Sequence, residues 1–187
     1  MPIGPDVSEV DQVAFVSDQD AYAFSGQKCS AQSALFVHEN WAVPGVDIVG
    51  KLRALAKRRR LADLTICPVL SVTNAAFLAH VKALLAIPGA SLAFGGGLLT
   101  DHSIPACYGS FEPTAVIIPI EQLLKPRNYD LCTTEIFGPF QIIVPYRSDQ
   151  LPLVLEALER THAHLTAAVV SNDVAFQQKV CLILSSI

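Results

Sequence analysis

The stretch Phe140-Gln141-Ile142-Ile143-Val144-Pro145-Tyr146 is predicted to be a buried β-strand, because it is a short run of apolar and β-branched residues. Residues 150–161 follow it, and their apolar side chains recur at helical spacing from Leu153 to Leu158. A strand followed by a helix is the repeating unit of α/β proteins. This stretch therefore favours an α/β fold.

The same alternation continues on both sides of this unit. Further strands are predicted at residues 34–38, 92–94, 114–119 and 165–170, and further helices at residues 18–24, 46–59, 74–87 and 174–184. Thr73 is predicted to be the N-cap of the helix that starts at Asn74. The predicted apolar face of that helix consists of Phe77, Leu78, Val81, Leu84 and Leu85. We therefore predict one α/β domain with a largely parallel sheet flanked by helices.

The composition is unusually apolar for a free-standing domain. Of the 187 residues, 51% are hydrophobic and 16% are charged, whereas about a quarter are usually charged. Either other segments or subunits cover part of this surface, or an Ala-, Leu- and Val-rich core accounts for it. The net charge is −4, and the basic run Lys57-Arg58-Arg59-Arg60 is interpreted as the exposed end of a helix rather than a binding patch. We therefore expect no nucleic-acid partner.

No apolar stretch approaches the roughly 20 residues that a membrane-spanning helix needs, so no membrane partner is expected. Residues 1–6 lack the charged n-region and the apolar h-region of a signal peptide. They also lack the Arg and Ser enrichment of an organelle transit peptide.

The cysteine usage argues against a disulfide framework and against a zinc site. The five cysteines form no CxxC pair, and they are Cys29, Cys67, Cys107, Cys132 and Cys181. An odd number without such pairs favours a reducing compartment. His162 and His164 alone do not make a metal site, so no metal is predicted.

The surroundings of Cys29 distinguish it from the other cysteines. In Phe24-Ser25-Gly26-Gln27-Lys28-Cys29-Ser30-Ala31, the cysteine follows a Gly-containing turn and is predicted to open a helix. Backbone N–H groups, the helix dipole and Lys28 would then favour the thiolate and stabilise the oxyanion formed when it attacks a carbonyl. From these residues alone, a buried structural cysteine stays the commoner alternative. The other four cysteines lack such surroundings and are predicted to be inert.

Two motifs carry a resemblance to a known family. Gly26-Gln27-Lys28-Cys29-Ser30-Ala31 closely resembles the cysteine active-site motif of the aldehyde dehydrogenase superfamily. About a hundred residues later, Glu135-Ile136-Phe137-Gly138-Pro139-Phe140 resembles the second hallmark of that family. The resemblance extends from about Gly4 to about Val180. In residues 36–41, 111–116 and 164–172 the chain is most similar to plant-type Δ1-pyrroline-5-carboxylate dehydrogenases, which oxidise glutamate semialdehyde to glutamate.

The resemblance implies a role for four residues. Cys29 would be the nucleophile, and Ser30 would hold the carboxylate of the substrate. Glu135 would bind the nicotinamide ribose of the cofactor, and Phe137 would pack near the nicotinamide. The cofactor would be NAD, with NADP not excluded. The residues themselves leave alternatives open: Ser30 as a helix N-cap, Glu135 as a loop cap, and Phe137 as plain core.

The resemblance also implies that residues 1–187 are part of an aldehyde dehydrogenase catalytic domain, truncated at both ends. The cofactor-binding domain would then be missing, as would the upstream Glu that activates water and the upstream Asn of the oxyanion hole. The acids before Cys29 match no such motif, and they are Asp6, Glu9, Asp11, Asp18 and Asp20. We therefore expect little turnover by this chain alone. The alternatives are a non-catalytic product that associates with a full-length homologue, and a weak esterase.

Partners and localisation follow from the same resemblance. The partner would be a small-molecule aldehyde, and the family is homo-oligomeric. The resemblance implies a mitochondrial protein. Because the sequence shows no targeting segment, a cytoplasmic location stays open.

Overall fold

A five-stranded sheet is the central feature of the structure, a computed structural model in which residues 1–161 and 165–184 are described. The strands are β1 (Pro2–Ile3), β2 (Ala34–His38), β3 (Ser91–Phe94), β4 (Thr114–Ile117) and β5 (Phe140–Tyr146). Their order across the sheet is β1-β2-β5-β4-β3. Strand β3 is antiparallel to β4, and the other three pairs are parallel. The prediction of a largely parallel sheet is confirmed.

Strand β5 lies between β2 and β4, and six of its seven residues are buried. A parallel strand covered on both faces has an apolar sequence without polar alternation, which is why residues 140–146 and 34–38 can be recognised. Strands β3 and β4 also lie where they are predicted. Strand β1 was not predicted, because two residues are too few to show a pattern.

Helices cover both faces of the sheet. They are α1 (Val10–Tyr22), α2 (Ile48–Ala56), α3 (Asn74–Leu85), α4 (Ile120–Leu123), α5 (Pro126–Thr133), α6 (Leu151–Glu159) and α7 (Val174–Leu184). The first of them begins at Val10 rather than at Asp18 as predicted. Its buried face includes Ala14, Ser17 and Asp18, so the helix lacks the apolar stripe by which a helix is usually recognised in a sequence.

Helix α3 starts as predicted, since the hydroxyl oxygen of Thr73 accepts a hydrogen bond of 3.3 Å from the backbone N–H of Ala76. Its buried face is narrower than predicted. Phe77, Val81 and Leu84 are buried, whereas Leu78 and Leu85 are 39% and 38% exposed. The prediction was wrong for these two leucines, because the helix contacts the sheet along one narrow stripe.

The strand predicted at residues 165–170 is wrong. Val170 alone pairs with the sheet among the described residues of this segment, through a parallel bridge to Ile3. Leu165 is 72% exposed. Because β1 offers two residues for pairing, the ladder beside it does not extend along this segment.

Two apolar cores lie on opposite faces of the sheet, because side chains alternate along a strand. In β5, Ile142 and Val144 belong to the core under α3, α6 and α7. Ile143 belongs to the core under α1 and α2, together with Trp41 and Leu52. This arrangement places α1 on one face and α5 on the other.

The basic run Lys57–Arg60 follows α2 instead of forming its last turns, because the helix ends at Ala56. Arg59 is also not exposed as predicted. Its Nη2 lies 2.5 Å from Oδ2 of Asp18, and the two side chains are 8% and 4% exposed. This buried ion pair joins the chain after α2 to helix α1.

In residues 1–161 and 165–184, no helix combines the length and the apolar character needed to cross a bilayer. The same residues contain no group of three or more His, Cys, Asp or Glu side chains that could hold a metal ion. His162 and His164, which were interpreted as ordinary histidines, lie outside the described residues.

Replacing Arg59 by Met is expected to lower the free energy of unfolding by about 3–5 kcal/mol, because it leaves the Asp18 carboxylate buried without its partner. The control is Lys51→Met at the Lys51–Asp11 pair, in which Asp11 is 90% exposed. That change is expected to cost less than about 1 kcal/mol. Urea denaturation of the chain measures both free energies of unfolding. Equal losses in the two variants would show that the Asp18–Arg59 pair does not behave as a buried ion pair.

Candidate active site

Cys29 lies in an exposed turn between α1 and β2. The backbone N–H of Ala31 donates to the carbonyl oxygen of Lys28 across this turn, at 3.1 Å. No helix starts at Cys29, so that prediction was wrong. Because β2 begins at Ala34, the intervening residues are too few for a stable helix. The Lys28 ammonium is bound to the carbonyl oxygen of Gln19 in α1, at 3.1 Å.

A left-handed turn ends α1 and leads the chain toward Cys29. Phe24, Ser25 and Gly26 are consecutive residues with φ of 55°, 55° and 65°. Residues other than glycine are destabilised by about 1–2 kcal/mol in this left-handed region of backbone conformation, because the Cβ atom approaches a carbonyl oxygen. The buried hydroxyl of Ser25 offsets part of that cost, since it accepts from the N–H of Cys67 at 2.6 Å and donates to the carbonyl oxygen of Cys67 at 3.1 Å.

Residues 67–71, which we call the strap, are hydrogen-bonded to the motif that contains Cys29 and to the motif that contains Glu135. The side-chain amide of Gln27 donates to the carbonyl oxygen of Pro68 at 3.0 Å and accepts from the N–H of Leu70 at 2.8 Å. The hydroxyl of Ser71 donates to the carbonyl oxygen of Phe137 at 2.6 Å. Sequence reasoning missed the strap, because its residues form no periodic pattern.

The two motif loops touch through their glycines. A Cβ atom added to Gly26 would lie 2.1 Å from the carbonyl oxygen of Gly138. A Cβ atom added to Gly138 would lie 3.0 Å from the ring of Phe111. The approach at Gly26 requires glycine, because the added atom would overlap a backbone oxygen, whereas at Gly138 the Phe111 ring would have to shift by a few tenths of an ångström. The structure therefore brings the loop of Cys29 and the loop of Glu135 together.

Glu135 lies in the connection between α5 and β5, and it is exposed. Phe137 follows in the same connection and is half-buried. The N–H of Gly138 donates to the carbonyl oxygen of Ile136 at 2.7 Å, which makes a tight turn before β5. The Glu135 carboxylate and part of the Phe137 ring are therefore accessible to a ligand that binds at this loop.

Ser30 is exposed beside Cys29, and no helix begins there, so the alternative of a helix N-cap is excluded. Ser30 also lines a cavity of about 170 Å³, whose walls include Tyr129 and Ile142. Cys29, Glu135 and Phe137 are not among the wall residues. Of the four predicted site residues, Ser30 alone lines this cavity.

The other cysteines differ in exposure. Cys132 is buried, and burial raises the pKa of its thiol to about 11. Cys67 is half-buried, whereas Cys107 and Cys181 are exposed, like Cys29. Exposure alone therefore does not distinguish Cys29, and Cys107 is a suitable internal reference for its reactivity.

Replacing Gly26 by Ala is expected to cost about 1–3 kcal/mol for overpacking against Gly138, in addition to about 1–2 kcal/mol for the left-handed backbone. Gly45→Ala is the control, because Gly45 has φ of 89° and nothing within 4 Å of an added Cβ atom. That variant is expected to show the backbone cost alone. Urea denaturation measures both, and equal losses would show that the contact with Gly138 is not tight.

Comparison with known proteins relates this geometry to a family. Residues 5–184 match the model of the aldehyde dehydrogenase family. The chain is 64% identical to mitochondrial Δ1-pyrroline-5-carboxylate dehydrogenase 12A1 of Arabidopsis thaliana over 179 residues, which are 95% of this chain and 32% of that protein. It is 61% identical to a probable aldehyde dehydrogenase of Linum usitatissimum, over 95% of this chain and 32% of that protein. The chain thus spans about a third of the length of these relatives.

Solved structures show the same fold. A proline utilization A variant from Bradyrhizobium japonicum superimposes with a TM-score of 0.74 at 25% identity, over 96% of this chain and 17% of that one. The sheet flanked by helices, predicted as an aldehyde-dehydrogenase-like fold, is confirmed. Because the family model covers residues 5–184, nearly the whole of this sequence, the chain belongs to the aldehyde dehydrogenase family.

Proposed function

We propose that the protein containing this chain oxidises glutamate semialdehyde, the open form of Δ1-pyrroline-5-carboxylate, to glutamate with NAD(P)⁺. The observation that supports this most is the contact of Gly26 with Gly138, which brings the two motif loops together. The name of the Arabidopsis relative supports the choice of substrate. By the same comparison, we propose a mitochondrial location.

In the proposed reaction, the thiolate of Cys29 attacks the aldehyde carbon and forms a thiohemiacetal. NAD(P)⁺, when bound, supplies the acceptor for the hydride that leaves this carbon. Water then hydrolyses the resulting thioester, which releases the acid and returns the thiol. The exposed position of Cys29 leaves room for an aldehyde to approach.

Glu135 and Phe137 are the residues of this chain that would hold the cofactor. An exposed carboxylate can accept two hydrogen bonds from the ribose diol, and the half-buried ring can pack against the nicotinamide. The exposed and adjacent position of these groups fits such a ligand. Both contacts serve NAD and NADP equally, so they support NAD(P)⁺ as the cofactor.

Ser30 would donate a hydrogen bond from its hydroxyl to the carboxylate of the substrate. It follows Cys29 directly and is exposed. Its exposed hydroxyl supports this role, because no helix needs it as a cap.

We propose that residues 1–187 form part of a larger catalytic domain and turn over little by themselves. Three acids before Cys29 are already engaged. Asp18 is paired with Arg59, Asp11 is paired with Lys51, and Asp6 accepts from the N–H of Asn172 at 2.5 Å. These carboxylates are poorly placed to activate water at Cys29.

A second candidate function is association with a full-length homologue without catalysis. Exposed apolar side chains near the end of the chain favour it: Leu165 is 72% exposed, Val174 is 62% exposed and Leu182 is 70% exposed. Co-purification of the tagged chain with a full-length relative tests this candidate.

Steady-state NADH formation tests the main proposal. A full-length protein that contains this segment is expected to oxidise glutamate semialdehyde, and Cys29→Ala is expected to abolish the activity. The 187-residue chain is expected to form no NADH in repeated turnovers. Its thiol can still be acylated by an activated ester, because acylation needs no hydride acceptor. Full activity of the Cys29→Ala protein would contradict the proposal.

Alkylation by iodoacetamide tests whether the activation of Cys29 resides in this chain. Cys29 is expected to be alkylated faster than Cys107, because the proposed reaction uses it as the nucleophile. Both cysteines are exposed, so peptide mass spectrometry compares them in one sample. Equal rates would show that the activation needs more than these residues.

A further inference from the structure

The side chain of Gln141 in β5 is bonded to both ends of the loop that carries Cys29. Its Nε2 donates to the hydroxyl oxygen of Tyr22, the last residue of α1, at 2.8 Å. Its Oε1 accepts from Nε2 of Gln32, close to the start of β2, at 2.6 Å. One amide therefore connects the point where the loop leaves α1 to the point where it enters β2.

The directions of these hydrogen bonds form one consistent chain. The hydroxyl of Tyr22 accepts from Gln141 and donates to the carbonyl oxygen of Thr114 in β4, at 3.3 Å. Burial raises the pKa of Tyr22 well above its usual value, so the hydroxyl keeps the proton that it donates. Nε2 of Gln32 also donates to the hydroxyl oxygen of Ser17 in α1, at 2.8 Å. Each donor thus has an acceptor in a neighbouring element.

A backbone hydrogen bond also joins the two ends of the Cys29 loop, next to the side-chain amide of Gln141. The N–H of Gln32 donates to the carbonyl oxygen of Asp20 in α1, at 3.1 Å. The loop between Tyr22 and Gln32 therefore starts and ends on one buried support.

Burial of the Gln141 side-chain amide costs free energy, because it removes a polar group from water. Gln141 is 0% exposed and stands in the apolar run of β5. An apolar side chain there would avoid the desolvation of an amide. A buried polar group that is hydrogen-bonded at both its nitrogen and its oxygen favours one arrangement of its neighbours, and the neighbours here are the two ends of the Cys29 loop.

We propose that Gln141 is a positioning residue for Cys29 and acts through Tyr22 and Gln32. This inference rests on the proposed role of Cys29 as the nucleophile. Removal of the amide takes away two of the hydrogen bonds that hold the ends of the loop against the sheet, so the loop can shift relative to the sheet. A displacement of about 1 Å at a reacting group can cost up to about a hundredfold in rate.

The test is the ratio of the alkylation rates of Cys29 and Cys107 in the same chain. Gln141→Met keeps the size of the side chain and removes both hydrogen bonds. We expect this variant to lower the ratio, because a shifted loop changes the groups that surround the Cys29 thiol, under conditions in which circular dichroism shows that it is folded.

A conservative variant separates positioning from stability. In Gln141→Glu, the carboxylate can accept from Gln32 and from the hydroxyl of Tyr22. We expect the ratio to return to within about threefold of the wild-type value. The same variant buries a charge, so it is expected to unfold at lower urea concentration than Gln141→Met. If Gln141 acted only through stability, the less stable Gln141→Glu variant would have a lower ratio than Gln141→Met.

A matched pair of tyrosine variants keeps the inference testable if Gln141→Met does not fold. Tyr22→Phe removes the hydroxyl at one end of the loop. Tyr146→Phe removes a similar buried hydroxyl from β5, which donates to the carbonyl oxygen of Ile3 at 2.6 Å and does not touch the loop. We expect Tyr22→Phe to lower the ratio and Tyr146→Phe to leave it unchanged.

An unchanged ratio in folded Gln141→Met and in Tyr22→Phe would overturn the inference, as would an equal fall in Tyr146→Phe. The ratio in the wild-type chain tests the role of Cys29 independently. If Cys29 and Cys107 react equally in the wild type and the variants lower the ratio further, the proposed activation fails while the positioning by Gln141 stands.

Discussion

The close approach of Gly26 to Gly138 is the constraint on which the rest of the candidate site depends. No side chain larger than hydrogen fits at Gly26, where an added Cβ atom would lie 2.1 Å from a backbone oxygen. The left-handed turn before Cys29 and the strap across both loops maintain this approach. Two motifs that lie far apart in sequence therefore meet through their backbones.

The sheet explains how one strand supports both loops. Strand β5 follows the connection that carries Glu135 and Phe137, and its Gln141 lies under the loop of Cys29. Two apolar cores hold β5 from opposite faces. The position of both loops is thus tied to a central and largely buried strand of the sheet. The buried polar groups near these loops include the amide of Gln141 in β5 and the ion pair between Asp18 of α1 and Arg59.

Much of the fold could be predicted from the sequence, because strands β2, β4 and β5 have apolar runs typical of covered parallel strands. Helix α1 could be predicted only in part, since its buried face contains Ser17 and Asp18. The site residues were predicted from a family motif. The turn geometry at Cys29, the strap and the bonds of Gln141 depend on tertiary contacts, and no local pattern signals them.

Residues 1–187 are expected to hold the two loops in contact by themselves. An experimental structure of the 187-residue chain tests it directly, through the distance from the Cα atom of Gly26 to the carbonyl oxygen of Gly138. We expect van der Waals contact between these two atoms, at about 3.3–3.6 Å. A separation large enough for a water molecule or a side chain to enter between the two glycines would contradict it.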